Sequence, residues 1–143
     1  MDPLDRLIDL LPQKPPFLFL DEILEHEPLR RAVGAKTFKE GHAVFENHLP
    51  GEPVVPGVIL IEALGQLAGI VLVPLDGSIT VRGYLAAVND LRFRRLVRPG
   101  ERILLSADLD RRFGSAARFA VLASVGGEEA AAGWLTIGGM TRA

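Results

Sequence analysis

Two side chains that could carry acid–base chemistry, His48 and Glu62, lie close together in the sequence, with the polar amide of Gln66 nearby. Glu62 lies in an otherwise apolar stretch, where a carboxylate is unfavourable unless it is paired or protonated. If that stretch is helical, Gln66 follows one turn later on the same face. A histidine and such a carboxylate are the groups needed to remove one proton from a substrate and donate another. Structural roles stay open, because a loop histidine is commonly a surface residue and a helical glutamate can bind a backbone N–H or an arginine.

The apolar stretch is predicted to form one long helix from near Gly57 to near Pro74. A proline precedes it, and the first backbone N–H groups, those of Gly57, Val58 and Ile59, are expected to lie unpaired at the positive end of the helix dipole. Such a helix end favours an oxyanion or a polarised carbonyl oxygen. The sequence therefore predicts a carbonyl-binding end about one and a half turns before Glu62.

The rest of the chain is predicted to consist mostly of strands. Apolar residues spaced three and four apart, from Leu4 to Leu11, indicate a short helix that Asp2 would cap. Strands are predicted at residues 17–26, 31–39, 78–89, 101–112, 116–125 and 129–137. The short connections between them, such as the turn at Gly126-Gly127, favour an antiparallel meander.

A helix that is apolar on nearly every face must be covered all round. A curved antiparallel sheet can cover one side, with buried faces such as that of Ile103, Leu105, Ala107 and Leu109, which alternate with more polar residues. In a chain of this size, a second copy of the protein is expected to cover the rest. We therefore expect an α+β fold, in which about six strands wrap around one long central helix, in a dimer.

Length and composition narrow the class of protein. The 143 residues, with a net charge of −2 and no cysteine, fit a single domain over 1–143 and argue against a disulfide framework and a nucleic-acid binder. The acidic N-terminus does not resemble a signal peptide, and Glu62, Gln66 and Pro74 interrupt the run that is otherwise long enough to span a membrane. We expect a cytoplasmic protein without membrane insertion. His26 and His42 are expected to be solvated, and we expect no metal site.

The segment FENHLPGEPVVPGVILIEALGQLAG resembles the signature of the (3R)-hydroxyacyl-acyl carrier protein dehydratases of the FabZ type. In that family a histidine before a Pro-Gly pair is followed, after a Pro-Gly helix start, by a glutamate and a glutamine. His48, Gly57, Glu62 and Gln66 occupy these places. The segments LPQKPPFLFLDEIL and LRFRRLVRPGERI resemble other parts of the family, so the resemblance covers nearly the whole chain.

The resemblance implies a hot-dog fold that works as a dimer or a trimer of dimers, with each active site at the dimer interface. His48 of one chain would remove the C2 proton of a 3-hydroxyacyl thioester. Glu62 of the other chain would face a buried acyl tunnel, retain a proton there, and donate it to the departing 3-hydroxyl group. The amides at Gly57 and Val58 would polarise the thioester carbonyl, and Gln66 would orient Glu62 or the released water.

Ile59, Leu60 and Phe93 are candidates for the wall of the acyl tunnel, and a plain core position is the alternative for each. The arginine-rich stretch that contains Arg94 and Arg98 would form part of the docking surface for the acidic acyl carrier protein, with a solvated sheet face as the alternative. The phosphopantetheine arm would arrive with the substrate, so no bound cofactor is expected.

The chain also departs from the family pattern. Asn47 and Leu49 flank the histidine where the family usually has glycine and phenylalanine, and residues 13–16 (QKPP) replace a basic, aromatic-containing sequence. These changes leave open the geometry of the loop and the identity of the acyl chain, in a housekeeping or a specialised pathway. Two other functions stay open. One is a hot-dog thioesterase, which would activate water with the helix carboxylate and would not need His48; the other is a non-catalytic hot-dog subunit that binds acyl groups or a partner.

Overall fold

The computed structural model of the chain describes residues 4–46, 51–74 and 81–142. In chain order its elements are α1 (Arg6–Asp9), β1 (Glu22–Glu27), β2 (Arg31–Thr37), a 3₁₀ turn (Ala43–Phe45), α2 (Gly57–Val71), β3 (Val81–Phe93), β4 (Arg102–Phe113), β5 (Ala116–Val125) and β6 (Glu128–Arg142). The helix cap predicted at Asp2 lies outside the described residues.

The strands form one antiparallel sheet of six, in the order β1-β2-β4-β5-β6-β3, and α2 packs across it, mainly against β4. The alternation predicted for β4 is confirmed, since Ile103, Leu105 and Ala107 are buried in the core that the sheet shares with α2. The turn between β5 and β6 is formed by Gly126 and Gly127, both with positive φ (59° and 81°). The predicted α+β class, with about six strands and one long helix, is confirmed.

The predicted meander holds for β4, β5 and β6 but is wrong for β3, which pairs with β6 at the far edge. β4 already has β2 and β5 as neighbours, so the segment 94–101 must carry the chain from that edge back to the middle of the sheet. Arg95 donates two hydrogen bonds to Glu101, of 2.9 and 2.6 Å, and Val97 is buried. The Arg95 guanidinium, helped by the Arg98 backbone N–H, lowers the pKa of Glu101 to about 2.

The long helix α2 begins at Gly57, as predicted, and ends at Val71, short of the predicted end near Pro74. The carbonyl of Val71 accepts a hydrogen bond of 2.8 Å from the backbone N–H of Leu29, in the turn between β1 and β2. The buried residues of α2 are Leu60, Ala63, Leu64, Gln66, Leu67, Ala68, Ile70 and Val71. A Cβ built on Gly65 would have no neighbour within 4 Å, so one face of the helix is open in the single chain.

The N-terminal part of the chain is less regular than predicted. α1 spans only Arg6–Asp9, and β1 begins at Glu22 instead of Phe17. The reason is that the backbone of Phe17 and Phe19 forms hydrogen bonds with a side chain of α2 and not with a strand. Across the described ranges, none of the helices has the length and apolar character needed to cross a membrane.

Candidate active site

The amide of Gln66 joins three parts of the candidate site. Its side chain is buried, with 2% of its surface exposed. The Nε2 group donates hydrogen bonds to Glu62 Oε2 (3.0 Å) and to the carbonyl of Phe17 (3.1 Å), and the Oε1 atom accepts one from the N–H of Phe19 (2.9 Å). This buried polar group is therefore satisfied, as stability requires. The predicted neighbours Glu62 and Gln66 are in direct contact, and the amide orients the carboxylate.

Glu62 lies on the wall of a cleft of about 250 Å³. One wall is the open face of α2, which presents Glu62, Gly65, Gln66, Gly69 and Leu72; the others are residues 11–13, residues 83–85 and Ile137. Glu62 is partly buried in the single chain, not fully enclosed as the sequence led us to expect. The small residues on the helix face leave room for a ligand between the carboxylate and the far wall.

The cleft contains residues that were not predicted as site residues. Gln13 from the N-terminal segment and Tyr84 and Leu85 from β3 all line it. The sequence offered a reason to consider Gln13, because it lies in the segment that departs from the family pattern. It offered no reason to consider the backbone groups of Phe17 and Phe19 that hold Gln66, since nearly every residue carries an N–H and a carbonyl.

The N-terminal end of α2 offers two backbone donors. The N–H groups of Gly57 and Val58 have no acceptor among the described residues, as expected for a helix start. The prediction of a third free donor is wrong, because the N–H of Ile59 donates to the carbonyl of Pro56 at 3.0 Å. The Val58 side chain is 72% exposed, so this end of the helix is open to a ligand.

Phe93 covers the start of the helix. A Cβ built on Gly57 would lie 2.9 Å from Cζ of the Phe93 ring, closer than real Cβ contacts, so only glycine allows the ring to lie where it does. The Phe93 side chain is 49% exposed. Of the other predicted tunnel residues, Leu60 is buried in the core and Ile59 packs against it. None of the three lines the cleft beside Glu62, so their tunnel role stays a prediction.

The predicted base, His48, lies outside the described residues, together with Asn47 and Leu49. Its role therefore stays a prediction. The segment before it is held in place by His42, whose Nδ1 accepts a hydrogen bond of 3.0 Å from the N–H of Val44 at the start of the 3₁₀ turn. His42 is thus a capping residue and not simply a solvated one.

The prediction that His26 is solvated is wrong. Both of its ring nitrogens are buried without a hydrogen-bond partner among the described residues. Burial lowers the pKa of His26 from its ordinary value, and the nearby carbonyls of Ile70 and Val73, at the end of α2, oppose this shift without accepting a hydrogen bond of good geometry. His26 is distant in sequence from the candidate site and is not among the residues that line the cleft.

The two arginines predicted to bind a carrier protein differ in their surroundings. Arg94 forms an ion pair with Glu129 at 2.7 Å, although 61% of its side chain is exposed. Arg98 is exposed and makes no ion pair with a described residue. Among the residues that the structure describes, no group of three His, Asp or Glu side chains could hold a metal ion.

Comparisons of this chain with a family model and with curated proteins agree on one family. A family model described as the FabA-like domain matches residues 11–133. The 3-hydroxyacyl-[acyl-carrier-protein] dehydratase FabZ of Bacillus pumilus is 38% identical over 131 residues, which cover 92% of this chain and 91% of the relative. The FabZ of Clostridium acetobutylicum is 36% identical over 127 residues, covering 89% of this chain and 90% of the relative.

Solved structures share the fold at lower identity. A chain of the dehydratase heterocomplex ApeI:P from Xenorhabdus doucetiae has a TM-score of 0.74 and 16% identity, with 92% of this chain and 89% of that chain covered. Zebra fish thioesterase superfamily member 2 has a TM-score of 0.68 and 17% identity, with 94% and 91% covered. Because the FabA-like match spans most of the chain and the FabZ relatives are this similar, the chain belongs to the FabZ-type dehydratases of the hot-dog superfamily.

Proposed function

We propose that the chain removes water from (3R)-3-hydroxyacyl groups carried on an acyl carrier protein, giving the trans-2-enoyl thioester in fatty acid biosynthesis. The chain is an enzyme of the FabZ type. The observation that carries the proposed site is the 3.0 Å hydrogen bond by which the buried Gln66 holds Glu62 on the wall of the cleft. A carboxyl group fixed in this way beside an apolar wall is suited to donate a proton to a departing hydroxyl group.

The proposed mechanism assigns one proton transfer to each catalytic side chain. His48 removes the proton from C2, and the electron pair of the broken C2–H bond forms the C2=C3 double bond. The C3–O bond breaks as Glu62 donates its proton to the hydroxyl group, so water leaves. The N–H groups of Gly57 and Val58 bind the thioester carbonyl oxygen, on which negative charge develops. Gln66 positions Glu62 throughout.

A second copy of the chain is the proposed partner at this site. β3 is an edge strand, and the exposed side chains along it include Tyr84, Leu85, Val88 and Phe93. A long exposed apolar edge is unfavourable in a monomer, whereas two copies can pair there about a twofold axis. The other edge, β1, is short and carries three glutamates, which discourage pairing. Tyr84 and Leu85 also line the cleft, so a dimer through β3 would enclose the space beside Glu62. A trimer of such dimers is the larger assembly that we propose.

The acyl carrier protein is the proposed carrier of the substrate, and Arg98 is the residue that we favour for docking it. Its guanidinium is exposed and lacks an ion-pair partner among the described residues, whereas that of Arg94 is engaged by Glu129. An acidic partner approaching such a rim charge gains mainly in association rate. This attraction should weaken with salt, because the Debye length is about 10 Å at 0.1 M.

The proposed function is tested by incubating the protein with a (3R)-3-hydroxyacyl pantetheine thioester and measuring enoyl absorbance and free thiol in parallel. We expect enoyl product without thiol. Glu62→Gln keeps the shape of the side chain but removes the acidic proton, and should lower the rate by at least about a hundredfold. Glu27→Gln, on the exposed face of β1, is the matched control. Thiol release without enoyl product would indicate a thioesterase, and binding without either product a non-catalytic acyl-binding subunit.

A further inference from the structure

The 3₁₀ turn Ala43–Phe45 is capped by a histidine, where asparagine, aspartate and serine are the usual capping residues. The backbone of His42 is extended (φ −62°, ψ 142°), and its Nδ1 atom accepts a hydrogen bond of 3.0 Å from the N–H of Val44. A ring nitrogen that accepts a hydrogen bond carries no hydrogen, so the hydrogen of the neutral ring lies on Nε2. Protonation of the ring adds a hydrogen to Nδ1 and removes this acceptor. The cap therefore exists only while the His42 ring is neutral.

The capped turn joins the core to the segment that carries the proposed base. The His42 ring meets the buried ring of Phe38 edge-on, with centroids 5.3 Å apart, and the His42 N–H donates to the carbonyl of Lys39 at 3.0 Å. Phe45, the last residue of the turn, packs against the core. His48 follows three residues after Phe45 in the sequence. The direction in which the chain leaves the turn therefore limits where His48 can lie.

The charged side chains near His42 do not replace the cap. Those that line a surface pocket together with His42 are Asp21, Lys36, Lys39 and Glu40. Lys36 forms an ion pair of 3.0 Å with Asp21. Among the described residues, none of the four makes a hydrogen bond or an ion pair with the His42 ring. The N–H of Val44 is thus the polar group whose partner is lost when Nδ1 takes a proton.

We propose that His42 is a positioning residue for the catalytic base, as a cap that is released when its ring is protonated. This inference rests on the proposed dehydration, in which His48 removes the C2 proton. With Nδ1 unprotonated, the cap fixes the turn from which the chain runs to His48. With Nδ1 protonated, two donors face each other and the hydrogen bond to Val44 is lost. The enzyme thus loses activity in acid at His42, in addition to the loss that follows from protonation of His48 itself.

The test compares His42→Asn and His42→Gln with the wild-type enzyme. The Oδ1 atom of asparagine takes the place of Nδ1 and does not titrate, whereas the acceptor of glutamine lies one bond further out, in the place of Nε2. Both changes remove the ring contact with Phe38, so the two variants are a matched pair that differ in the cap. On a (3R)-3-hydroxyacyl pantetheine thioester at pH 8, we expect His42→Asn to keep most of the wild-type kcat. His42→Gln should lose about tenfold in kcat, the effect of one cap, with KM unchanged.

The pH dependence of kcat separates a positioning role from a merely structural one. Histidine side chains ordinarily change charge between about pH 5 and 8. The ratio of the wild-type kcat to that of His42→Asn should fall several-fold from pH 8 to pH 5.5, because only the wild type loses its cap. The ratio of His42→Gln to His42→Asn should stay constant, since titration of His48 affects all variants alike. A wild-type ratio that does not change with pH overturns the proposal, and so do equal losses of kcat in the two variants at pH 8.

A measurement without substrate separates this inference from the proposed function. The NMR chemical shift of the Val44 amide should titrate over the same pH range in the wild type and stay constant in His42→Asn. If the wild type forms enoyl product but its Val44 amide does not titrate, only the role of His42 is overturned. If the Val44 amide titrates but the wild type forms no enoyl product, the proposed dehydration fails, and the role of His42 toward the base fails with it.

Discussion

Replacing Gln66 with methionine removes the amide that joins α2, the N-terminal segment and Glu62. The change leaves the carbonyl of Phe17 and the N–H of Phe19 without their partners, at a position where Gln66 is 2% exposed. The buried N–H of Phe19 costs about 1–3 kcal/mol when it loses its partner. The carbonyl of the half-exposed Phe17 costs less, because water can reach it, and the methionine recovers part of the total by apolar packing. We expect the free energy of unfolding to fall by about 2 kcal/mol. For a chain of this length the melting temperature should fall by about 6 °C.

The assay is thermal unfolding at one fixed protein concentration, together with kcat on a 3-hydroxyacyl thioester. Fixing the concentration matters because an oligomer gains apparent stability with concentration. Leu64→Met, on the buried face of the same helix, is the control that keeps volume and removes no hydrogen bond, and should cost less than about 1.5 kcal/mol. If Gln66→Met were as stable and as active as Leu64→Met, the account of Gln66 as the positioning group would be refuted.

Three further predictions concern the helix start, a buried histidine and the arginine-rich segment. Gly57→Ala should displace the Phe93 ring, because the new methyl group would lie 2.9 Å from Cζ of the ring. We expect kcat/KM to fall about tenfold with little loss of stability. The double variant with Phe93→Ala should recover activity if the displaced ring is the cause. Burial lowers the pKa of His26 below its ordinary 6.5, so as the pH drops the unfolded chain binds the proton before the folded chain does, and stability falls below about pH 6.5. Urea unfolding at pH 7.5 and 5.5 measures this loss of unfolding free energy, which should be smaller in His26→Phe than in the wild type. Arg98→Glu should raise KM for a carrier-linked substrate at low salt and leave KM for a pantetheine substrate unchanged. An equal rise in KM for both substrates would place the docking surface elsewhere.

The parts of the fold that could be predicted are those in which one pattern decides the structure. The start of α2 at Gly57 follows from a proline before an apolar run, and the buried face of β4 follows from strict alternation. The position of β3 could not be predicted, because neighbouring strands in the chain usually pair and nothing local in the sequence states that β4 has both neighbours already. The late start of β1, at Glu22 instead of the predicted Phe17, could not be predicted for the same reason. It depends on hydrogen bonds with a side chain of α2 that is distant in the sequence.

The candidate site was predictable where side chains carry the chemistry. Glu62 and Gln66 could be paired from their spacing alone, and they are in contact. The contacts of Gln66 with the carbonyl of Phe17 and the N–H of Phe19 could not be predicted, because backbone groups are the same at every residue. Only the folded chain brings these two groups to Gln66. His26 was wrongly predicted to be solvated, because its burial depends on packing over the end of α2 and not on its neighbours in sequence.

The central claim is that Glu62 of one chain and His48 of another dehydrate the substrate in a site that two copies share. It is tested most directly by mixing two inactive variants, His48→Ala and Glu62→Gln, under conditions in which subunits exchange, and measuring enoyl formation. Each mixed dimer contains one site with both groups intact and one with neither. With equal amounts and free exchange, half of the dimers are mixed, and we expect about a quarter of the wild-type activity. A mixture that stays inactive although mixed dimers are shown to form would contradict the shared site.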